Sequence, residues 1–586
     1  MPLISHPAPA EDKQSSSEKA SSPGGKLTSL LARRRAFAWE LWLRSDESLL
    51  WRRRIAWGLV LALALAYAVI VGVRVVTRFT NYHADAFDLG NMDQAVWNTL
   101  HGHLFRFTNR GNDDFNAPTR LSIHVEPILL LLAPLYLIYA GPPTLLITQT
   151  VAQALGSIPL FLLSLRRLPK LPLMGVAIVF SYLISPLLLG AALWDFHAVA
   201  LATPLLIWAL WALDARRYRQ FLVAVTLAAA TKEDVGLSIA LIGIVFALWP
   251  GRTPRQRTFG LIVAAVSLVY VALCFFVILP HFSVHTSNNY LYRYSWLKGF
   301  EHDPFGTLAS LLNAGRRLYL AILFRTAGGL GIFAPVVWAF ALPDFAVNML
   351  SNHAEQYSGF FQYNAVILPY LCVAAVYGVE VWYSSRRGVE RPIPPAPFAE
   401  RKGDDAVGAA AVSLSVSGRL AVLWRRVEHY ERAIGAWWVR LVGRIPLPSR
   451  WIGPVVIVWV IALSIWNVTT VGRIAPFWAA GAPPTPQQAQ HITQVDALLG
   501  RIPSDASVAT TDTLDPHLSD RYDLYLMPDP QCYQAQYVAV DLPNAIGNVR
   551  QQDQQMLDRM LASGRYVVIG KAGDVLVLHR IGPPLT

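Results

Sequence analysis

Apolar positions along this chain come in long unbroken runs, separated by short polar and mostly basic segments. A helix needs ~20 apolar residues to cross the hydrocarbon of a bilayer, and several runs approach that length. The first, about 55–77, follows Arg33, Arg34, Arg35, Arg52, Arg53 and Arg54. Basic flanks stay in the cytoplasm, so this span is predicted to exit outside and to release a polar outer loop over 78–126. Segment 127–140 is apolar but only about 14 residues long, and Gly141-Pro142-Pro143 ends it. That length suits a re-entrant or interfacial helix, not a crossing.

Further spans are expected over about 144–165, 171–191, 198–213, 258–280, 309–326, 329–345, 362–384 and 452–470. Residues 219–250 read as two short halves around Lys232-Glu233-Asp234. Arg166/Arg167/Lys170, Arg216/Arg217/Arg219, Arg252/Arg255/Arg257 and Arg386/Arg387 mark the cytoplasmic turns. The walk yields about 11 spans, a cytoplasmic N-terminus and an outer C-terminus. No signal peptide is expected, because the first apolar run starts only near Ile55.

The pattern changes in three places. Residues 1–54 are a basic cytoplasmic segment whose first part is rich in Ser, Pro, Lys and Glu and expected to be disordered. Residues 388–451 form a cytoplasmic insert, Pro-rich at first (RPIPPAPF) and like an interfacial amphipathic helix over about 418–444. Residues 471–586 alternate polar helical stretches with the β-like runs SVATT, QYVAVDL, RYVVIG and DVLVLH. About 115 residues bury a modest core, so a small α/β domain outside the membrane is expected. The fold class is an α-helical polytopic membrane protein with a small C-terminal extracytoplasmic α/β domain.

Composition agrees: 54% of residues are hydrophobic and 15% charged, against roughly 25% charged in soluble domains. The net charge of +12 does not indicate nucleic acid as a partner, because much of the Lys and Arg flanks the apolar runs. Three cysteines give no disulfide framework. There is no P-loop, dinucleotide fingerprint, Gly-x-Ser-x-Gly elbow or His-Glu-x-x-His, which argues against ATP-driven work within the chain.

What remains is a set of polar clusters that the predicted topology brings to the outer face: Asp85, Asp88 and Asp93 directly after the first span; His124 and Glu126; Asp195 and His197; Lys232, Glu233 and Asp234; and His353, Glu355, Gln356 and Tyr357. Carboxylates are costly near hydrocarbon, so such residues line cavities or do chemistry. Each also has a plain reading. Asp85 suits a solvated loop. Asp88 is equally placed to cap a helix over Leu89–Leu100. Asp93 and Gln94 can face the same cavity or water. His124 and Glu126 can form the polar entrance of the short helix, Asp195 and His197 a loop pair, and Lys232 can be neutralised by Glu233 or Asp234. His353 and Glu355 suit ordinary loop positions. A one-sided set fits an active site at the outer boundary; a coupled transporter should carry charges near mid-span.

The series FDLGNMDQAVWNTLHG, HVEPILLLLAPLY, LWDFHAVALATPLL and TKEDVGLSIAL, with IPSDASVATTDTLDPHLSDR further on, resembles a family of bacterial predicted multi-pass membrane proteins related to the GT-C superfamily of glycosyltransferases. It departs from that pattern at Val125-Glu126, where the family carries Phe or a similar residue followed by Ser. The resemblance implies a location in the bacterial inner membrane, a polyprenyl-phosphate-linked sugar as donor, membrane lipid as a partner, and a glycan, lipid or protein as acceptor. It implies Asp88 as the catalytic acid position, with Asp93 second. Lys232, with His197 or His124, would stabilise the departing phosphate, and loops 281–308 and 346–361 would shape the channel. Some GT-C enzymes use a divalent cation, for which Asp88, Glu126 and Asp195 are the candidate ligands. A transporter or lipid flippase, and a non-catalytic scaffold or sensor, remain open alternatives.

Overall fold

The computed structural model describes residues 46–109, 118–249, 252–283, 290–385, 449–542 and 549–585. The first 45 residues and the insert's Pro-rich and amphipathic parts lie outside them. Among the described residues, five helices are long and apolar enough to cross a membrane: Ser48–Thr80, Pro142–Arg167, Pro172–Trp194, Pro254–Phe282 and Gly453–Thr470. Each overlaps an expected span. Other expected spans appear as shorter apolar helices, among them Ala198–Asp214, Val235–Leu248, Pro335–Leu350 and Ile367–Val381.

Two burial patterns coexist. Helix Ile367–Ser385 is enclosed, with Cys372, Val373, Ala374, Ala375 and Val376 all inaccessible. Helix Pro254–Leu273 instead exposes Leu261, Ile262, Val266 and Val269. An apolar helix with so much outward apolar surface is stable only against lipid. Its inner face closes on helix Val235–Leu248 at Gly243, where an added Cβ would lie 2.6 Å from the Gly260 carbonyl. Such small-residue contacts let helix backbones approach in membranes.

Buried charge gathers at helix ends. At one end of Pro142–Arg167, Arg166 Nε reaches Asp214 at 2.7 Å, while Arg167 contacts Asp214 and lies 3.4 Å from Glu380. The other end begins at Gly141, near Asp520. About 26 residues at 1.5 Å each place these ends ~39 Å apart, a membrane's width.

Segment 127–140 is a broken element: helix Leu129–Leu132, then a 3-10 turn Ala133–Leu137. Leu131, Leu137 and Ile138 point outward while Leu129 and Tyr136 are buried, the profile of a short interfacial element.

The C-terminal part carries a five-stranded sheet. The strands are β1 (Val508–Thr510), β2 (Leu524–Leu526), β3 (Tyr537–Asp541), β4 (Tyr566–Ala572) and β5 (Val575–Arg580), in the order β2-β1-β3-β5-β4. β1 pairs parallel with β2 and β3, while β5 pairs antiparallel with β3 and β4. The four β-like runs of the sequence became β1, β3, β4 and β5; β2 (LYL), flanked by polar and turn residues, was not among them. Helix Pro486–Leu499, opened by a Thr485/Gln488 capping box, sets Val495, Leu498 and Leu499 against Val508 and Val577. Helix Val549–Ala562 sets Met556, Leu557 and Met560 against Val538 and Leu578.

Candidate active site

The site is built where the first spanning helix ends. Helix Asp46–Thr80 stops in a turn, and Tyr82 adopts φ +61° to redirect the chain. Asp85 then caps the next element: its Oδ1 accepts from Phe87 N at 2.8 Å and opens the turn Ala86–Gly90 and helix Asn91–Leu100. This corrects two readings. Asp85 is a helix cap packed among acids, not a solvated loop residue. Asp88 lies in the first turn after that cap, is not the cap itself, and has its carboxylate available for other contacts.

Asp88 Oδ2 accepts from Trp194 Nε1 at 2.5 Å, and Oδ1 lies 3.0 Å from His197 Nε2. Its side chain is 28% exposed, against 8% for His197 and 1% for Asp195. Asp88 therefore offers the accessible carboxylate of this group. Its neighbours are held from behind. Gln149 donates to the Ala191 and Asp195 carbonyls and accepts from His197 N at 2.9 Å. Arg78 binds the Trp194 carbonyl and pairs with Asp195 at 2.6 Å, beneath the rings of Trp194 and Phe477. Asp195 Oδ2 also accepts from Asp85 N at 3.1 Å. Trp194 is boxed edge-on by Phe361 and Phe477, and Phe361 is held at φ +62°.

The electrostatics separate the carboxyls. Burial works against the Asp88 anion, but His197, Trp194 and Arg120 together hold it below the ordinary range. Burial, then the charges of Asp512, Asp88 and Asp195, push Asp85 well up. Burial pushes Asp195 up to about 6, with Arg78 opposing. Burial disfavours the His197 cation, yet Asp88 and Asp195 raise its pKa overall. Neighbouring acids with pKa values driven apart are how one site keeps an ionised base beside a proton-carrying group.

On another side, Tyr363 feels the charges of Arg293, Asp88, Glu355 and Lys232. Lys232 pairs with Asp234 at 2.6 Å; burial disfavours its charge, but Asp234 and Glu233 keep it protonated. Glu233 accepts from His124 at 2.8 Å and Val125 N at 3.0 Å, and these contacts with Lys232 lower it to about 2 against burial.

The other candidates are placed differently. Glu126 is sealed in a two-pronged pair with Arg120, whose third nitrogen reaches Asn91; the departure from the family pattern is a local ion pair. Asp93 is fully buried, accepting from Tyr136 at 2.5 Å and Ser519 at 2.6 Å. His353 pairs with Glu355 at 3.0 Å, the buried Gln356 has Oε1 unpartnered, and Tyr357 lies under Arg316 at 4.3 Å. Among the described residues no three His, Cys, Asp or Glu side chains are placed to hold a metal ion. Asp88, Glu126 and Asp195 each face an organic partner and do not converge as a ligand set.

Sequence reasoning missed the role of DTLDPHLSDRYD, residues 512–523. It docks on the first loop. Ala86 N donates to Asp512 at 2.8 Å, and Asn109 to Asp515 at 2.7 Å. Gln94 donates to the Arg521 and Tyr522 carbonyls, and Thr108 bonds both polar groups of Leu524. Gly90 leaves room for this approach, since an added Cβ would overlap Asp515. His517 stacks between Phe79 and Tyr82. Arg78, Trp194 and Asp512 also went unread; an arginine near the end of an apolar span was the available signal for the first.

The family model described as "Predicted membrane protein (DUF2079)" matches residues 78–394 and 437–577, and the chain belongs to that family. The gap between the two matched segments falls within the insert read from the sequence. No curated protein matches. Among solved structures, ArnT from Cupriavidus metallidurans bound to undecaprenyl phosphate is 12% identical, with a TM-score of 0.43, covering 88% of this chain and 97% of that one. The same protein in the apo state gives 13% and 0.42, covering 87% and 97%. Overlap this loose carries no argument about the chemistry of this chain.

Proposed function

We propose that this multi-pass membrane protein is a GT-C-type glycosyltransferase. It moves a sugar from a polyprenyl-phosphate donor to an acceptor at the extracytoplasmic face of the bacterial inner membrane. The observation that carries the reading is Asp88: an accessible carboxylate at the mouth of the first span, kept ionised by Trp194 and His197. An ionised, oriented carboxylate at a membrane boundary is suited to take the proton of an attacking hydroxyl.

The acceptor hydroxyl oxygen attacks the anomeric carbon, and its proton passes to Asp88. The bond from that carbon to the phosphate oxygen breaks, and the phosphate leaves with the electron pair. Lys232 and Arg293, which both act on Tyr363, stabilise that charge. His197 positions Asp88, and Arg78 and Gln149 position Trp194, Asp195 and His197. Asp93 supports the reaction by fixing the helix that carries Asp88 to Tyr136 and Ser519. Buried ion pairs at helix ends, such as Arg167 with Asp214, favour this reading over coupled transport, which calls for charge near mid-span.

The test offers radiolabelled polyprenyl-phosphate sugars to the protein in lipid nanodiscs. Wild type should release sugar to an acceptor or water, and folded Asp88→Asn should not. Full turnover by Asp88→Asn, or no saturable donor binding by folded wild type, refutes the assignment.

A further inference from the structure

A cavity of about 390 Å³ borders the loop that leads to Asp88. Its walls come from three places: Tyr82 and His83 after the first span, one face of helix Pro486–Leu499, and the end of β3. Gln487, His491 and Asp541 supply polar edges, and Ile492 and Leu514 an apolar floor. Among the described residues, no Lys or Arg lines it.

Three observations make this more than a gap. Its volume falls in the range of ligand pockets, ~300–1,000 Å³. It opens beside the carboxyl ends of the parallel strands β1 and β3, where α/β sheets bind their ligands. Its Tyr82 wall is rigid: φ is +61°, the ring stacks on His517, and the hydroxyl bonds Asp496 at 2.5 Å. A residue held in a sparsely populated backbone region and locked by its surroundings is typical of a ligand site.

The chemistry selects the occupant. Phosphates and carboxylates are recognised by Arg, Lys or helix N-termini; among the described residues the lining has no Arg or Lys, and the N-terminus of helix Pro486–Leu499 that borders it is already closed by the Thr485/Gln488 capping box. Burial, with the charge of Arg78, lowers the His83 pKa, so that imidazole is neutral. Neutral amide and imidazole groups, one carboxylate and an apolar floor match the hydroxyl edge and C–H face of a sugar ring.

We propose that this cavity binds an uncharged sugar, which, on the transferase reading above, is the acceptor. Asp88 lies five positions after His83 on its wall, so their backbones are at most ~18 Å apart.

The test is saturation-transfer NMR on the full chain in nanodiscs, with methyl glycosides of hexoses and pentoses, glucuronate and glucose 6-phosphate as probes. At least one neutral glycoside should bind saturably. Gln487→Ala and His491→Trp, both exposed changes, should weaken it about tenfold, the factor that ~1.4 kcal/mol represents. Three results overturn the proposal: no neutral glycoside binding to folded wild type, binding untouched by both variants, or preference for the charged probes. Donor turnover without glycoside binding sinks the cavity alone. Glycoside binding without donor turnover supports the cavity as a sugar site and sinks the transferase reading instead.

Discussion

The contact between Asp93 and the 519–520 segment should make docking of the C-terminal domain depend on pH. Asp93 is buried between Tyr136 and Ser519, and Asp520 lies next to it with a buried, unpartnered oxygen. Burial, followed by the charge of Asp520, pushes Asp93 well above the ordinary carboxylate range; burial likewise raises Asp520 against Arg521 and His101. A raised pKa means that the docked state holds its proton more tightly than the open state. The stabilisation is therefore complete below the ordinary carboxylate pKa and lost as pH rises through the raised value. The steepest loss is about 1.4 kcal/mol per pH unit for each proton released. Asp85, Asp512 and Asp515, raised at the same interface, add slope of the same sign. Removing one acid should therefore flatten the dependence by about one proton's share, not abolish it. The assay is amide hydrogen exchange at residues 519–524 in nanodiscs, corrected for intrinsic rates, from pH 5 to 8 in wild type and Asp520→Asn. Asp93→Leu adds a second readout. It strands the Tyr136 hydroxyl, while Ser519 keeps Pro516 O at 3.0 Å, so the cost should be about 1–3 kcal/mol at low pH and shrink as pH rises through the raised Asp93 value. Protection that rises with pH, or equal slopes in wild type and Asp520→Asn, refutes the shared-proton account.

Three further outcomes are expected. Gly90→Ala forces a methyl group into Asp515 and should cost more than ~1 kcal/mol of docking, read as lost exchange protection over Asp512–Leu518; unchanged protection would refute the close approach. Asp195→Asn leaves Arg78 buried without its counter-charge and should destabilise the fold by about 3–5 kcal/mol, whereas Arg78→Leu/Asp195→Leu should recover part of that in thermal melts; a double variant worse than both singles would refute it. If transferase activity is found, its alkaline limb should track His197, whose raised pKa keeps the pair with Asp88 intact until pH climbs through it; His197→Gln should remove that limb.

What the sequence determined by itself was whatever local pattern can carry. Apolar runs announced the spanning helices, because a bilayer demands length and leaves no other solution for the backbone. The β-branched runs announced four strands, and the break at Gly141-Pro142-Pro143 marked the short element before it as non-spanning in length. Asp88 could be singled out because an acid next to hydrocarbon is costly. Its role could not be read, since a cap and a base look alike at one position; the tertiary structure decided by giving the cap to Asp85 and turning Asp88 toward Trp194 and His197. The same holds for the partners. Arg78 finds Asp195 across 117 positions, and Asp93 finds Ser519 across 426. Pairings over such separations leave no periodicity or spacing in the chain. They are set by which helix ends meet, and there the fold gathered Arg78, Asp88 and the Trp194–His197 stretch into one site.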